Sequence, residues 1–143
     1  MYASETWATT TKERSRLQAA EMRVVRLIGK KTRRDKIRND VIRGQVGIAK
    51  LQNKIDSAQL RWLGHLERMD DGRVAKRRWE WRPNGRRPRG RPRKRWSDAV
   101  EETLARHQLP HLQELRDNGI LENRNEWRRR LAPLTEREAL PGS

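Results

Sequence analysis

The chain has 143 residues, of which 35 are lysine or arginine and 19 are aspartate or glutamate, and its formal net charge is +16. Hydrophobic residues make up only 33% of the sequence, so it allows one small domain, or a couple of helical subdomains, with a thin core. The absence of cysteine excludes a disulfide scaffold, a thiolate zinc site and a cysteine nucleophile. A compact state with this charge repels itself unless anions share its surface, so the composition predicts a polyanionic partner.

The apolar runs of the chain are too short for a membrane span. Val24-Val25 and Leu27-Ile28 contain two residues each, whereas roughly 18 consecutive apolar residues suggest a transmembrane helix. The first twelve residues are polar and lack the apolar centre of a secretory signal. We therefore expect an intracellular protein, nuclear or cytoplasmic, that does not interact with membranes.

Most of the excess charge lies in one segment. Residues 1–72 have a net charge of +7, residues 73–96 carry 12 basic side chains and one acidic side chain for a net +11, and residues 97–143 have a net charge of −2. Three prolines and two glycines between residues 82 and 96 exclude a stable helix or an inner strand. This pattern predicts an extended cationic loop or linker.

The chain opens with a weakly strand-like stretch over residues 1–7, and a helix is predicted over residues 11–28. Thr10 and Glu13 have the spacing of a capping box at the start of this helix. Gly29 stands where a C-terminal cap is expected. Between these two caps, helical periodicity predicts an apolar face made of Leu17, Ala20, Val24, Leu27 and Ile28.

The next two helices are predicted from a cap and from a heptad pattern. Asn39 is placed to cap a short helix that closes at Gly47. Apolar residues then recur at spacings of three and four until a turn at residues 70–72 ends the helix. This seam needs a partner, and the helix over residues 11–28 is the expected one, in an antiparallel hairpin. The seam consists of Ile48, Leu51, Ile55, Ala58, Trp62, Leu66 and Met69.

Further helices are predicted on both sides of the cationic segment. A short helix near residues 74–80 leads into it, and Ser97 is a good N-cap for a helix after it. Another short helix is expected over residues 111–117. A last helix begins near Asn123 and ends before Pro133, where a tail begins.

These elements predict a mostly α fold. It would combine a small helical bundle or helical hairpin, an extended Arg/Pro/Gly-rich basic loop and a short C-terminal helical part. The expected division is a helical part with a heptad-patterned hairpin over 1–72, a short helix and basic arm over 73–96, C-terminal helices over 97–131, and a flexible tail over 132–143.

The basic arm is the predicted nucleic-acid-binding site. Guanidinium groups pair bidentately with phosphate oxygens, and backbone that proline holds extended follows a groove with little loss of entropy. Residues 88–94 (PRGRPRK) also look like an AT-hook, in which glycine lets the backbone sit deep in a narrow minor groove. The alternative is a solvated arginine-rich linker that binds any nucleic acid or serves as a nuclear import signal. The predicted binding residues are Arg82, Arg86, Arg87, Arg89, Gly90, Arg91, Arg93, Lys94 and Arg95.

The aromatic residues are unusual, with six tryptophans, one tyrosine and no phenylalanine. Trp79, Trp81 and Trp96 flank the cationic segment. Trp81 and Trp96 are candidates for stacking on bases, as in single-strand binders, and anchoring of the loop is the alternative. Trp62 and Trp127 lie on apolar helical faces and are predicted to pack in the core.

The sequence contains no recognisable active site. Asp70-Asp71 follows a heptad helix and precedes a glycine, which is typical of a helix-ending turn rather than of a polymerase metal site. His107 and His111 have a zinc-like spacing, but Pro110 separates them and no third ligand is evident. We therefore predict no catalytic residue, no metal and no cofactor.

Several strings, in order, resemble the segment C-terminal to the polymerase core in endonuclease-reverse transcriptases of non-LTR (LINE-type) retrotransposons. The resemblance extends over about residues 2–131. It departs from the family at Ala3, where glycine is frequent, and at Leu63, where an aromatic residue is frequent. The matching strings are residues 2–7 (YASETW), 21–23 (EMR), 34–39 (RDKIRN), 60–69 (LRWLGHLERM), 90–98 (GRPRKRWSD) and 125–128 (NEWR).

The resemblance implies a thumb-adjacent or connector segment that holds template RNA, target DNA or their hybrid, in association with the rest of a reverse transcriptase. The family's endonuclease and polymerase motifs would lie upstream of Met1, so it implies no catalytic residue in this chain. A truncated element, a host gene derived from one, or a remnant without function would also give this sequence. Two other functions remain open: an AT-hook-type chromatin protein and a structural RNA-binding protein of a ribonucleoprotein.

Overall fold

The computed structural model describes residues 4–82, 85, 89–90 and 94–136, with residues 135 and 136 as backbone alone. These residues form a turn of 3-10 helix (Ser4–Thr6) and seven α-helices, with no strand among them, which confirms the mostly α fold. None of these helices is long and apolar enough to cross a membrane. The helices are α1 (Thr11–Ile28), α2 (Asn39–Val46), α3 (Leu51–Glu67), α4 (Val74–Glu80), α5 (Trp96–Arg106), α6 (Leu112–Asp117) and α7 (Arg124–Glu136).

The start of α1 has the predicted capping box. The backbone N–H of Glu13 donates to Thr10 Oγ1 at 3.3 Å, and the backbone N–H of Thr10 donates to Glu13 Oε2 at 2.7 Å. The strand-like opening is wrong for the residues described, because Ser4–Thr6 forms a 3-10 turn that packs on α3. This tertiary contact outweighs the weak local preference of a short polar stretch.

Two predicted caps are shifted by one or two residues. Arg38 is the N-cap of α2, and Asn39 is its first residue, whose Oδ1 accepts a hydrogen bond from Arg26 Nη2 at 2.8 Å. Arg95 is the N-cap of α5, and its backbone N–H donates to Asp98 Oδ2 at 2.9 Å. Ser97 therefore lies inside the helix, because an acidic side chain in the first turn satisfies the free N–H.

Helix α3 is the central element and contacts α1, α4, α5, α7 and the 3-10 turn. Leu60 and Leu63 are fully buried although neither belongs to the predicted seam, and Trp62 is only half-buried. Neighbours on several sides bury a wider arc than the two positions per heptad of a coiled coil. The main core consists of Leu60, Leu63, Leu66, Trp79, Val100, Leu104, Leu112, Leu115, Leu121, Trp127, Leu131 and Leu134.

Helix α1 packs mainly against α2 rather than α3, and the predicted apolar face is wrong, because Val24, Leu27 and Ile28 are exposed. Met22, Val25 and Ile42 form a second buried cluster, separate from the main core. The expected α1–α3 hairpin partnership therefore differs from the structure, in which the helices C-terminal to α3 supply most of its apolar cover. Spacing along one helix cannot specify which of several apolar faces will cover it.

Helix α1 is tied to α3 through buried carboxylates. Glu21 Oε1 accepts the backbone N–H of Leu51 at 2.8 Å, at the start of α3, and Glu21 Oε2 pairs with Arg43 Nη2 of α2 at 2.5 Å. A carboxylate near a helix N-terminus satisfies a free N–H and interacts favourably with the helix dipole. One side chain of α1 thus joins three helices.

Asp56 of α3 is the centre of a buried ionic cluster. Its carboxylate accepts from Arg106 Nη1 at 2.7 Å and from Gln52 Nε2 at 2.6 Å, and His107 Nε2 lies 3.0 Å from Oδ2. Arg14 Nη1 of α1 is 3.9 Å from the other oxygen. Burial acts to raise the pKa of Asp56, but the hydrogen bonds from His107 and Arg106 outweigh it and leave the pKa below its ordinary value. The cluster links α1 and α3 to the C-terminal end of α5.

Helix α7 packs across α3 and continues through Pro133 to Glu136. The indole Nε1 of Trp127 donates to the backbone oxygen of Leu60 at 3.0 Å. Burial of Leu134 in the main core holds the last turn in place despite the hydrogen bond that proline removes. The predicted end of this helix before Pro133 is therefore wrong, and residues 137–143 of the expected tail lie outside the described residues.

Candidate nucleic-acid interface

Trp79 lies in the last turn of α4, just before the extended part of the cationic segment. It is 7% exposed, and its Nε1 donates to Glu67 Oε1 at 2.6 Å. Arg116 of α6 donates to the same oxygen at 2.6 Å, and its guanidinium carbon lies 5.4 Å from the centroid of the Trp79 ring. Lys76 is also buried, with its Nζ 3.1 Å from the backbone oxygen of Glu67. The side of α4 that faces the protein is thus buried, and the charge of Lys76 on that side is paired with Glu67.

Trp96, the first residue of α5, lies at the C-terminal end of the cationic segment. Its ring meets that of Trp79 edge to face, with centroids 5.0 Å apart and an interplanar angle of 82°. Its Nε1 donates to the backbone oxygen of Glu5 at 2.9 Å, in the 3-10 turn. Such aromatic pairs contribute about 0.5–1.5 kcal/mol beyond the area they bury. The residues on either side of the predicted basic arm therefore meet, and we call residues 81–95 between them the basic loop.

The predicted phosphate-binding residues near the ends of the basic loop have unequal access to solvent. Arg82 is exposed, and its Nη1 donates to the backbone oxygens of Trp79 at 3.0 Å and Trp81 at 3.3 Å. Lys94 is half-buried, and its Nζ donates to Thr9 O at 3.0 Å and Glu102 Oε2 at 2.6 Å. Lys94 therefore anchors the loop to the body of the protein, whereas Arg82 keeps a guanidinium at the surface.

The remaining predicted residues lie further into the basic loop or at its end. Arg89 and Gly90 are exposed. Gly90 has a φ of +110°, at which the backbone of a residue with a side chain would be strained. Arg95 is half-buried at the N-cap of α5. The other predicted binding residues, Arg86, Arg87, Arg91 and Arg93, lie outside the described residues.

The two candidate stacking residues differ in accessibility. Trp81 is 57% exposed, and the guanidinium carbon of Arg78 lies 5.4 Å from its ring centroid. Trp96 is half-buried between Trp79 and the 3-10 turn. Trp81 thus offers more surface to a base, and Trp96 has the contacts of a structural anchor.

Helix α4 adds exposed arginines that the predicted binding set omits. Arg73, at its N-cap, and Arg77 are exposed, and neither forms an ion pair with another described residue. Their location next to the loop base extends the cationic surface onto a regular helix. The only sequence signal for them is the local charge, since nothing in their spacing separates them from a solvated helical face.

The residues considered for catalysis or metal binding have structural contacts. Asp70 Oδ2 accepts the backbone N–H of Gly72 at 3.1 Å, in the turn after α3. His107 lies against Asp56, whereas His111 Nδ1 is 3.3 Å from Glu101 Oε2 at the surface. In the part of the chain that the structure describes, no group of three or more histidine, aspartate or glutamate side chains could hold a metal ion.

Comparison with known proteins relates the chain to a transposon-derived protein. A protein of Caenorhabditis elegans, described as transposon-derived and uncharacterised, is 29% identical over 131 residues, which cover 88% of this chain. The chain spans about half the length of that relative, 47% of it. No protein-family model and no solved structure matches the chain. The similarity supports a transposon origin for the sequence.

Proposed function

We propose that this chain is a non-catalytic nucleic-acid-binding segment, derived from the region that follows the polymerase in non-LTR retrotransposon reverse transcriptases. The observation that carries the proposal is the concentration of a net +11 charge in residues 73–96, at a loop whose base is closed by Trp79 and Trp96. The transposon-derived relative and the ordered sequence strings support the same origin.

The proposed mechanism is recognition of the phosphate backbone. Exposed guanidinium groups at Arg77, Arg82 and Arg89 are placed to contact phosphate oxygens and release condensed counterions from the nucleic acid. The anchored base restricts the ends of the loop before binding, which lowers the entropy that binding must remove. Phosphate contacts carry no sequence information, so this mechanism binds RNA, DNA or their hybrid.

A titration of the whole chain at two salt concentrations tests this mechanism. Single-stranded RNA, A·T-rich duplex DNA, mixed duplex DNA and an RNA–DNA hybrid are each titrated at about 50 and 200 mM salt. Six to ten phosphate contacts predict a loss of roughly 10³–10⁵ in affinity over that range. Absence of binding, or equal affinity at both salt concentrations, would falsify the proposal.

Paired arginine variants locate the interaction. Arg82→Ala/Arg89→Ala removes two exposed charges of the loop, and Arg33→Ala/Arg34→Ala removes two exposed charges between α1 and α2. The loop variant is expected to lower affinity at least tenfold and to reduce the salt slope on duplex DNA by about 1.8, since each contact contributes about 0.9. The control is expected to bind as the unaltered chain does, and equal losses in both would mean that only net charge matters.

A second candidate function is AT-hook-type binding in the minor groove, and the conformation of Gly90 favours it. Its φ of +110° favours glycine at this position, and the lack of a side chain there would allow close approach to the floor of a groove. This function predicts a preference for A·T-rich duplex that Gly90→Ala and Arg91→Ala each abolish. Equal binding to all duplex sequences would exclude it and leave the backbone mechanism.

A further inference from the structure

A second cationic surface lies outside the basic loop, in a groove between α3 and α7. The groove has a volume of about 690 Å³, and Trp127 and Leu131 are among its lining residues. Every ionisable residue that lines it is basic. These residues are Arg61, His65, Arg68, Arg124 and Arg128.

Helical spacing explains how the two walls become cationic. Arg61, His65 and Arg68 are separated by four and three residues, which places them on one face of α3. Arg124 and Arg128 are one turn apart at the start of α7. Close packing of α7 on α3, through Trp127, brings the two stripes to the same groove.

The exposed arginines of the groove have no acidic partner among the described residues. Arg61, Arg124 and Arg128 are exposed and form no ion pair with any other described residue. Elsewhere on α7, by contrast, Arg129 and Arg130 both pair with Glu126, at 3.8 and 3.3 Å. The charge of the groove therefore remains uncompensated within the described residues.

Arg68 shows that the cluster is dense enough for its charges to interact. Its Nη1 donates to the backbone oxygen of Leu121 at 2.7 Å, which holds the side chain against the groove wall. Burial lowers the pKa of Arg68 below its ordinary value, and the nearby charge of Arg124 lowers it further. Bringing like charges together costs free energy, and a bound anion would recover it.

We propose that the α3–α7 groove is a second phosphate-binding surface, which holds the phosphodiester backbone of a nucleic acid through Arg61, Arg124 and Arg128. This inference rests on the proposed function, because it assumes that the chain binds nucleic acid. The indole N–H of Trp127 is already used by Leu60, so the floor of the groove offers no indole donor to a base edge. The groove therefore binds the backbone without sequence preference.

The test compares variants of the groove and of the basic loop in the 143-residue chain. Arg61→Ala/Arg128→Ala removes two groove charges and spares Arg68, which has a structural bond. Arg23→Ala/Arg34→Ala is the matched control, because it removes two charges outside the groove that are exposed and unpaired among the described residues. Each is titrated with single-stranded RNA, duplex DNA and an RNA–DNA hybrid at two salt concentrations, after circular dichroism has shown that the helices are retained. If the alanine variant loses helix content, Arg61→Gln/Arg128→Gln replaces it.

The groove variant is expected to bind at least tenfold more weakly than the control and to reduce the salt slope by about 1.8 on duplex DNA or 1.4 on single strands. A groove variant that binds like the control would overturn the inference, while a loss confined to Arg82→Ala/Arg89→Ala would leave the proposed function standing. If the unaltered chain binds none of the three nucleic acids, both fail.

Discussion

The indole of Trp127 occupies the space that a side chain at residue 64 would need. A Cβ placed on Gly64 would lie 2.5 Å from Trp127 Nε1 and closer still to Cδ1. This close approach lets the indole N–H reach the backbone oxygen of Leu60, one turn earlier on α3. Gly64 thus sets how closely α7 packs on α3, and with it the width of the cationic groove.

Gly64→Ala is expected to lower the free energy of unfolding by about 1–3 kcal/mol, as overpacking of a core does. Trp127 is 2% exposed and hydrogen-bonded, so it cannot move aside without breaking its own contacts. Chemical denaturation measures the change. Gly44→Ala in α2 is the control, because a Cβ there meets no atom within 4 Å, and it is expected to stabilise by about 0.4–1 kcal/mol. The same sign of effect at both positions would contradict this account.

Asp56→Asn is expected to destabilise the fold by about 3 kcal/mol. The substitution keeps the side-chain volume but leaves Arg106 and Arg14 without their buried counter-charge, and removal of one partner of a buried ion pair is costly. Urea denaturation of the full chain checks this. Asp71→Asn, at an exposed turn, should change stability by less than about 0.5 kcal/mol. Equal stability of the two variants would mean that the cluster contributes nothing.

Stability is expected to fall in acid because of the same carboxylate. The pKa of Asp56 in the folded chain lies below its ordinary value of 3.8, so the unfolded chain binds the proton first as the pH drops. The contribution of Asp56 is complete above about pH 5 and is lost progressively from about pH 4 downward as the folded carboxylate protonates. Thermal unfolding between pH 3 and 6 measures this dependence. In Asp56→Asn the loss of stability at low pH should be smaller. An unchanged pH profile in this variant would mean that other carboxylates cause the loss.

Substitution of the two loop tryptophans is expected to separate anchoring from binding. Trp96→Ala removes the edge-to-face contact with Trp79 and the hydrogen bond to Glu5, and should cost about 2–3 kcal/mol in stability. Trp81→Ala, at an exposed position, should change stability by less than about 0.5 kcal/mol. If Trp81 stacks on a base, its loss weakens single-strand binding by about 1–3 kcal/mol. Denaturation and RNA titration of both variants measure these effects, and a reversed pattern would exchange the two roles.

Local sequence signals account for most of the helices. The capping box of Thr10 and Glu13 and the apolar spacing after it predict α1 over its observed range, and α4 is found where residues 74–80 were predicted. Such signals act within one or two helical turns, so they depend little on how the helices pack together. Pro133 is the counterexample, because burial of Leu134 extends α7 past a residue that locally favours an end.

The candidate site was predictable in composition but not in arrangement. The charge of the basic loop is visible in the sequence, whereas the contact between Trp79 and Trp96 that closes its base is not. The groove was missed altogether, since Arg61 and Arg128 look like ordinary residues of solvated helical faces. Only the packing of two helices shows that their charges converge.

The sequence by itself determined the mostly helical character of the chain, the segment that holds its excess charge and the absence of cysteine chemistry. Each of these follows from composition or from spacing within a few residues. The tertiary structure alone decided that α3 is covered by the C-terminal helices, that Trp79 and Trp96 meet at the base of the basic loop, and that two arginine stripes face one groove. These features depend on contacts between residues far apart in the chain, whose free energies no local pattern encodes.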